Sequence, residues 1–222
     1  MENGDNRPGR SIPVPSTSIH ERENVWSQVV RKMGPRYADA SISKFQFYGS
    51  TEEQARQKEV IELVRDFGSA VVERTRTGRG VIFYGSSGTG KDMLQSALMR
   101  NACKLGLTVD WINGLDLFGE FRDRMESKGK SEEAKFRALA QPDILAISDP
   151  LPPYGQLTPF QTTVLSRLVD RRYRMLKPVW ITVNVASRAE AERRMGHSTV
   201  DRISERALLV CTDWPSYRQF RA

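Results

Sequence analysis

Val81-Ile82-Phe83-Tyr84 is a short apolar run, and directly behind it stands Gly85-Ser86-Ser87-Gly88-Thr89-Gly90-Lys91-Asp92. Such a run suits a buried parallel strand. Beyond the glycines, Met93, Leu94, Ala97 and Leu98 recur at helical spacing. The order is strand, glycine turn, helix, and the turn follows the phosphate-loop pattern G-x-x-x-x-G-K up to its last position. In that arrangement loop N–H groups and the positive end of the helix face an anion. Lys91 reaches the terminal phosphates as a point charge. Residues Gly85, Ser86, Ser87, Gly88, Thr89, Gly90, Lys91 and Asp92 are therefore expected to cradle a nucleotide. The pattern normally closes on a Ser or Thr hydroxyl that ligates magnesium, and here it closes on a carboxylate. A glycine-rich turn without a ligand is the competing reading; the lysine, the spacing and both flanks argue against it.

Composition narrows the rest. A chain of 222 residues, 39% hydrophobic and 27% charged, suffices for one domain with a real core and a tail. No apolar run approaches the roughly 18–20 residues of a membrane span, and the N-terminus lacks the apolar centre of a secretory leader. Cys103 and Cys211 are the only cysteines, which gives neither a disulfide framework nor a zinc cluster and fits a reducing cytoplasm. The net charge of +7 suggests an acidic partner such as nucleic acid, or merely a solvated cationic face.

Along the chain, residues 1 to about 20 read as a disordered tail. Residues 21–33 read as a short helix with Val25, Trp26, Val29 and Val30 on one side, docked either on a partner or on its own domain. Gly34-Pro35 breaks the chain, so the expected division is 1–34 and 35–222. A helix is expected from Glu52 to about Val72, others over Leu115–Met125, Ser131–Leu139 and Pro159–Met175, and strands over Leu107–Ile112, Ile144–Ile147 and Val179–Val183. Strands alternating with helices indicate an α/β fold with a parallel sheet flanked by helices.

A nucleotide hydrolase also needs a metal ligand, a group that handles water and cations for developing charge. Ile144-Leu145-Ala146-Ile147-Ser148-Asp149 resembles the strand that delivers two acids beside the loop, with Ser148 in the first acidic place and Asp149 in the second, usually the water-activating one. The usual site has a hydroxyl on the loop and a carboxylate on the strand. This chain has the reverse, Asp92 on the loop and Ser148 on the strand. Exchange of partners across one magnesium site is the functional reading, with Asp92 ligating directly and Ser148 supporting it; decay of the site is the other. Two unit charges about 4 Å apart at an effective dielectric near 20 repel by roughly 4 kcal/mol, so Asp92 beside phosphate makes sense mainly with a cation between them. Asn184, closing the strand Trp180-Ile181-Thr182-Val183-Asn184, is placed to orient water or touch the terminal phosphate, or it simply ends a strand. Arg202 and Arg206 lie one helical turn apart and offer an arginine finger for a neighbouring subunit's nucleotide, or a solvated Glu/Arg face.

From Pro35 to Arg218 the chain resembles the DnaC/IstB family of AAA+ ATPases, the bacterial helicase loaders and transposition helpers. The resemblance rests on Pro35-Arg36-Tyr37 with Phe45, the loop itself, Gln161 to Tyr173, Pro178 to Asn184, Arg202-Ile203-Ser204-Glu205-Arg206 and Trp214-Pro215-Ser216-Tyr217-Arg218. It implies a five-stranded parallel P-loop NTPase core without a C-terminal lid domain, ATP with Mg2+, and homo-oligomers in which one subunit supplies an arginine to the next. It also implies single-stranded DNA contact after the second strand, where Arg122, Arg124, Lys128, Lys130, Lys135 and Arg137 stand; a solvated helix surface is the competing reading of those cations. The implied role is loading or remodelling a replicative helicase in the cytoplasm as a slow ATP-gated switch. A transposase-directing helper and a non-hydrolysing nucleotide-binding adaptor are the alternatives. Asp92 and Ser148 depart from the family pattern, and so does the short N-terminal part.

Overall fold

The computed structural model describes residues 18–126 and 131–220. Strands β1 (Val81–Tyr84), β2 (Val109–Asn113), β3 (Ile144–Ser148), β4 (Val179–Val183) and β5 (Leu208–Cys211) form one sheet in the order β2-β3-β4-β1-β5. Every pairing is parallel. Three helices precede β1: α1 (Ile19–Met33), α2 (Thr51–Ser69) and α3 (Val71–Arg76). Parallel neighbours need crossovers, and the later helices supply them: α4 (Lys91–Lys104), α5 (Gly114–Glu126), α6 (Glu132–Ala140), α7 (Pro159–Arg174), α8 (Arg188–Met195) and α9 (His197–Ser204). None of the described helices is long and apolar enough to cross a membrane.

The sheet has a core on each face, because successive strand residues point to opposite sides. On β4, Val179, Ile181 and Val183 join Leu117, Phe121 and Leu165 of α5 and α7. Trp180, between them, points the other way, onto Phe67 of α2 and the apolar side of α4. Both strands β3 and β4 are buried along their whole length, which is why they read as continuous apolar runs. Capping boxes start three of the helices: Ser18 with Glu21, Ser50 with Glu53, and Thr158 with Gln161.

Of the two placements the sequence leaves open for the first helix, α1 takes the one on its own domain. Val29 is buried, Val25, Trp26 and Met33 pack on the α2/α4 side of the sheet, and the Trp26 indole donates to the Ala38 carbonyl at 3.0 Å. The tail expected ahead of it lies outside the described residues. The single helix expected from Glu52 to Val72 is two, α2 and α3, divided at Ala70; Phe67 and Val71 stay buried across the break.

Arg172 contradicts its sequence context. Within Arg171-Arg172-Tyr173-Arg174 it stands among cations that complement the dipole at a helix end, yet it is fully buried. Its guanidinium donates to the carbonyls of Leu139 (2.9 Å), Pro142 (3.1 Å), Asp143 (3.1 Å) and Pro178 (2.9 Å), tying the end of α6 and the entries of β3 and β4 to α7. Burial pushes its pKa down to about 9, so it remains charged at neutral pH. Its neighbours do stay at the surface, where Arg171 pairs with Glu133 and Arg174 with Asp170.

Candidate nucleotide site

The loop Gly85–Gly90 leaves the carboxyl end of β1 and enters α4 at Lys91, as the glycine pattern predicts. Gly85 has φ +131°, and a Cβ there would lie 2.6 Å from the Thr212 carbonyl oxygen, so no other residue fits. That closeness reflects a clasp that sequence reading did not find. The segment after β5 grips the loop from outside: the Thr89 and Thr212 hydroxyls meet at 2.8 Å, the Trp214 indole donates to the Thr89 carbonyl at 3.1 Å, and the Tyr217 amide donates to the Gly88 carbonyl at 2.9 Å. Trp214 packs edge-on against Phe45, whose ring reaches Gly90. The quoted family segments around Phe45 and Trp214 thus meet at the loop.

Lys91 is buried, and its ammonium donates to the carbonyls of Gly85 (3.0 Å) and Ser86 (2.5 Å), inside the curve of the loop. Burial lowers its pKa; the nearby carboxylates of Asp149 and Asp92 oppose that.

Asp92 and Ser148, matched across the chain by sequence alone, are in contact. The Ser148 hydroxyl donates to Asp92 Oδ1 at 2.6 Å. A third residue joins them: the Thr182 hydroxyl donates to the same oxygen at 2.9 Å and lies 3.2 Å from Ser148 Oγ. Strand register explains the grouping, because Ser148 on β3 sits opposite Thr182 on β4, and both are buried. Asp92 Oδ2 has no hydrogen-bond partner among the described residues.

Asp149 follows at the strand's end in the left-handed region, φ +44°, a conformation an acid adopts only at a cost. Its amide donates to the Thr182 carbonyl at 3.0 Å, and the Asn184 amide donates to its Oδ1 at 2.8 Å. Asn184 therefore aims Asp149. Burial raises the pKa of Asp149, Asp92 raises it further, and Lys91 and the Asn184 hydrogen bond pull it back. Tyr37, in the turn after α1, also belongs to this neighbourhood: burial first and then Asp92 raise its phenol.

The donor set suits a hard divalent cation. It consists of oxygens only, two carboxylates and two hydroxyls, and no ion pair ties up Asp92 or Asp149 among the described residues. Among those residues no group of three or more His, Cys, Asp or Glu forms a protein-only cage. Magnesium usually binds through one or two carboxylates plus substrate phosphates and water, so these residues fit it.

Arg202 and Arg206 are not brought to this loop. Arg206 precedes β5, and Val81↔Leu208 register puts it at the opposite end of the sheet from Gly85. Strands of four residues, at about 3.3 Å each, separate the two ends by roughly 13 Å. There Arg202 pairs with Asp170 at 3.4 Å, and Arg206 donates to the Thr77 carbonyl at 3.3 Å and pairs with Glu205 at 3.6 Å. Arg122 is exposed and Arg124 half-exposed on α5, neither in an ion pair among the described residues. Lys128 and Lys130 lie outside the described residues.

The sequence profile of the family described as IstB-like ATP binding protein matches residues 26–221. The chain belongs to this family. Among curated relatives of this IstB-like chain, the replicative helicase loader DnaC of Escherichia coli (strain K12) is 29% identical over 140 residues, 62% of this chain and 55% of the loader. The match thus spans about half the length of that relative. Among solved structures, the DnaC helicase loader superposes with a TM-score of 0.68 at 22% identity, covering 80% of this chain and 99% of that one. The replication initiator DnaA bound to AMPPCP and single-stranded DNA gives 0.60 at 19% identity, covering 82% and 51%. These likenesses place the IstB-like chain in the P-loop AAA+ fold.

Proposed function

We propose that the chain binds ATP with magnesium at the Gly85–Asp92 loop and acts as an ATP-gated switch that loads or remodels a replicative helicase on DNA. The observation that carries the reading is the cluster at the carboxyl end of the sheet: Asp92, Ser148, Thr182, Asp149 and Asn184 in one hydrogen-bonded group beside a nucleotide loop whose carbonyls hold the Lys91 ammonium. The 29% identity to a replicative helicase loader supports a helicase as the class of partner.

In this reading Lys91 exchanges the carbonyls of Gly85 and Ser86 for phosphate oxygens. Asp92 would hold the metal through its carboxylate, while Ser148 and Thr182 keep its Oδ1 in place. Magnesium, when bound, offsets the charge of the terminal phosphates. Asp149 accepts a proton from the attacking water, and Asn184 keeps that carboxylate aimed. Arg202 or Arg206, remote from its own loop, reaches the nucleotide of a neighbouring copy, which makes hydrolysis depend on a homo-oligomer. Arg122, Arg124, Lys128 and Lys130 track single-stranded DNA through its phosphates.

The experiment is ATP turnover with magnesium, with and without single-stranded DNA, using Lys91→Ala as the blank. Turnover above the blank, rising with DNA, is expected; ATP held without turnover even with DNA and helicase present would favour an adaptor that signals by occupancy. A second reading, a helper that directs a transposase, is favoured by the family match over residues 26–221, longer than the match to the loader. Co-sedimentation with a replicative helicase or with a transposase separates the two.

A further inference from the structure

A neutral hydroxyl closes the usual phosphate loop, and here a carboxylate closes it. The difference concerns binding as well as catalysis. We infer that nucleotide and divalent cation enter this site only together, and that Asp92 is the residue that binds their entries to one another. The inference rests on the reading that phosphates lie in the Gly85–Lys91 cradle.

The geometry leaves Asp92 no way to withdraw. Its Oδ1 is pinned by two buried hydroxyls, Ser148 at 2.6 Å and Thr182 at 2.9 Å, each on a different strand of the sheet. A carboxylate held by two donors from a rigid sheet keeps one rotamer, so its charge stays in the first turn of α4, next to the lysine that faces the phosphates. Lys91 feels its charge, but among the described residues no cation pairs with it. The Lys91 ammonium is directed at the carbonyls of Gly85 and Ser86. Asp149 adds a second carboxylate close enough to act on Lys91 and to feel Asp92. At the loop itself two carboxylates face one ammonium, with Arg36 and Arg218 the further cations that act on neighbouring Tyr37.

Each ligand alone therefore meets a poor site. A bare triphosphate meets the fixed charge of Asp92. A bare magnesium ion, which needs about six oxygen ligands, finds too few from the protein and depends on phosphate oxygens for the rest. Bound together, the metal receives carboxylate and phosphate ligands at once, and the repulsion becomes a shared attraction. Such coupling is reciprocal: the factor by which metal tightens nucleotide is the factor by which nucleotide tightens metal. With a Thr in place of Asp92 the first half of the penalty would not exist.

The test titrates a non-hydrolysable ATP analogue into wild-type protein and Asp92→Asn by calorimetry, in excess magnesium chloride and in EDTA. Couplings between sites typically amount to about 5–150-fold, and the upper part of that range is expected for the wild type between the two buffers. Asp92→Asn should bind the metal-free analogue more tightly than the wild type does and lose most of the ratio. In the reciprocal arm, manganese binding followed by electron paramagnetic resonance should be weak for the wild type alone and appear when the analogue is added. Wild-type affinities within about threefold of each other in the two buffers would overturn the inference and leave the cradle reading intact. So would an Asp92→Asn ratio equal to that of the wild type, provided thermal melting without nucleotide shows the variant folded. Absence of analogue binding in both buffers, by folded wild-type protein, would instead sink the cradle reading and the inference with it.

Discussion

Replacing Arg172 with Met should cost this protein much of its stability without touching the nucleotide loop. Arg172 is fully buried and donates to four backbone carbonyls on three separate segments. Met fills a similar volume but donates nothing, so the carbonyls of Leu139, Pro142 and Asp143 lose a partner inside the fold. Hydrogen bonds to a charged group contribute about 1.5–3 kcal/mol each, while burying the guanidinium itself costs several kcal/mol. Each buried carbonyl left without a donor costs about 1–3 kcal/mol, and relief of the guanidinium's desolvation offsets part of the cost of the three, so a net loss of about 3–5 kcal/mol is expected. Domains of roughly 150–250 residues lose about 2–4 °C per kcal/mol, so the midpoint should fall by about 6–20 °C. Urea denaturation with matched thermal melts reads this directly. Arg172→Lys should fall between, because one ammonium cannot reach all four carbonyls. An Arg172→Met loss below about 1 kcal/mol would refute the reasoning, since it would mean that desolvation cancels the four bonds.

Two further outcomes follow from the site. Gly85→Ala should abolish nucleotide binding and lower stability by about 1–3 kcal/mol, because φ +131° is strained for Ala and its Cβ meets the Thr212 carbonyl; a calorimetric titration that still shows wild-type affinity contradicts this. Asp149 carries a raised pKa in the fold, so the folded state holds its proton to higher pH than the unfolded chain, and stability falls as pH rises from the ordinary value of 3.8 through the raised one. Asp149→Asn should therefore melt higher than wild type at neutral pH, with the gap closing below that ordinary value, and a gap independent of pH would show that charge is not the cause.

Much of this was legible in the residues because it is local. The loop announces itself through glycines, lysine and the apolar strand before it, and β3 and β4 are continuous apolar runs because both their faces are buried. β5 was missed as a strand: Leu208-Leu209-Val210-Cys211 is short, follows the charged end of α9, and leaves Leu209 and Cys211 exposed at the sheet edge. The pairing of Asp92 with Ser148 was found by comparing each with the residue type its position usually holds. Thr182 escaped because its part depends on β3–β4 register, a long-range fact, although a lone hydroxyl in the apolar strand Val179–Val183 was the available signal. Arg172 escaped for the same reason: its sequence neighbours are surface cations, and only tertiary packing turns it inward. The clasp of Thr212 to Tyr217 on the loop required knowing that β5 lies beside β1.

The central claim is that the metal site works with its two partners exchanged, and a double-mutant cycle on them tests it most directly. Asp92→Thr, Ser148→Asp and the double variant would be compared with wild type for magnesium-dependent ATP turnover. Asp92→Thr alone leaves hydroxyls facing each other, with Asp149 the one carboxylate remaining in the donor set. Ser148→Asp alone sets two carboxylates where a 2.6 Å hydrogen bond now stands. The account predicts that each single change lowers turnover by more than about tenfold, equivalent to about 1.4 kcal/mol, and that the double variant recovers to within about threefold of wild type. Losses that simply add, or a Ser148→Asp variant faster than wild type, would contradict it.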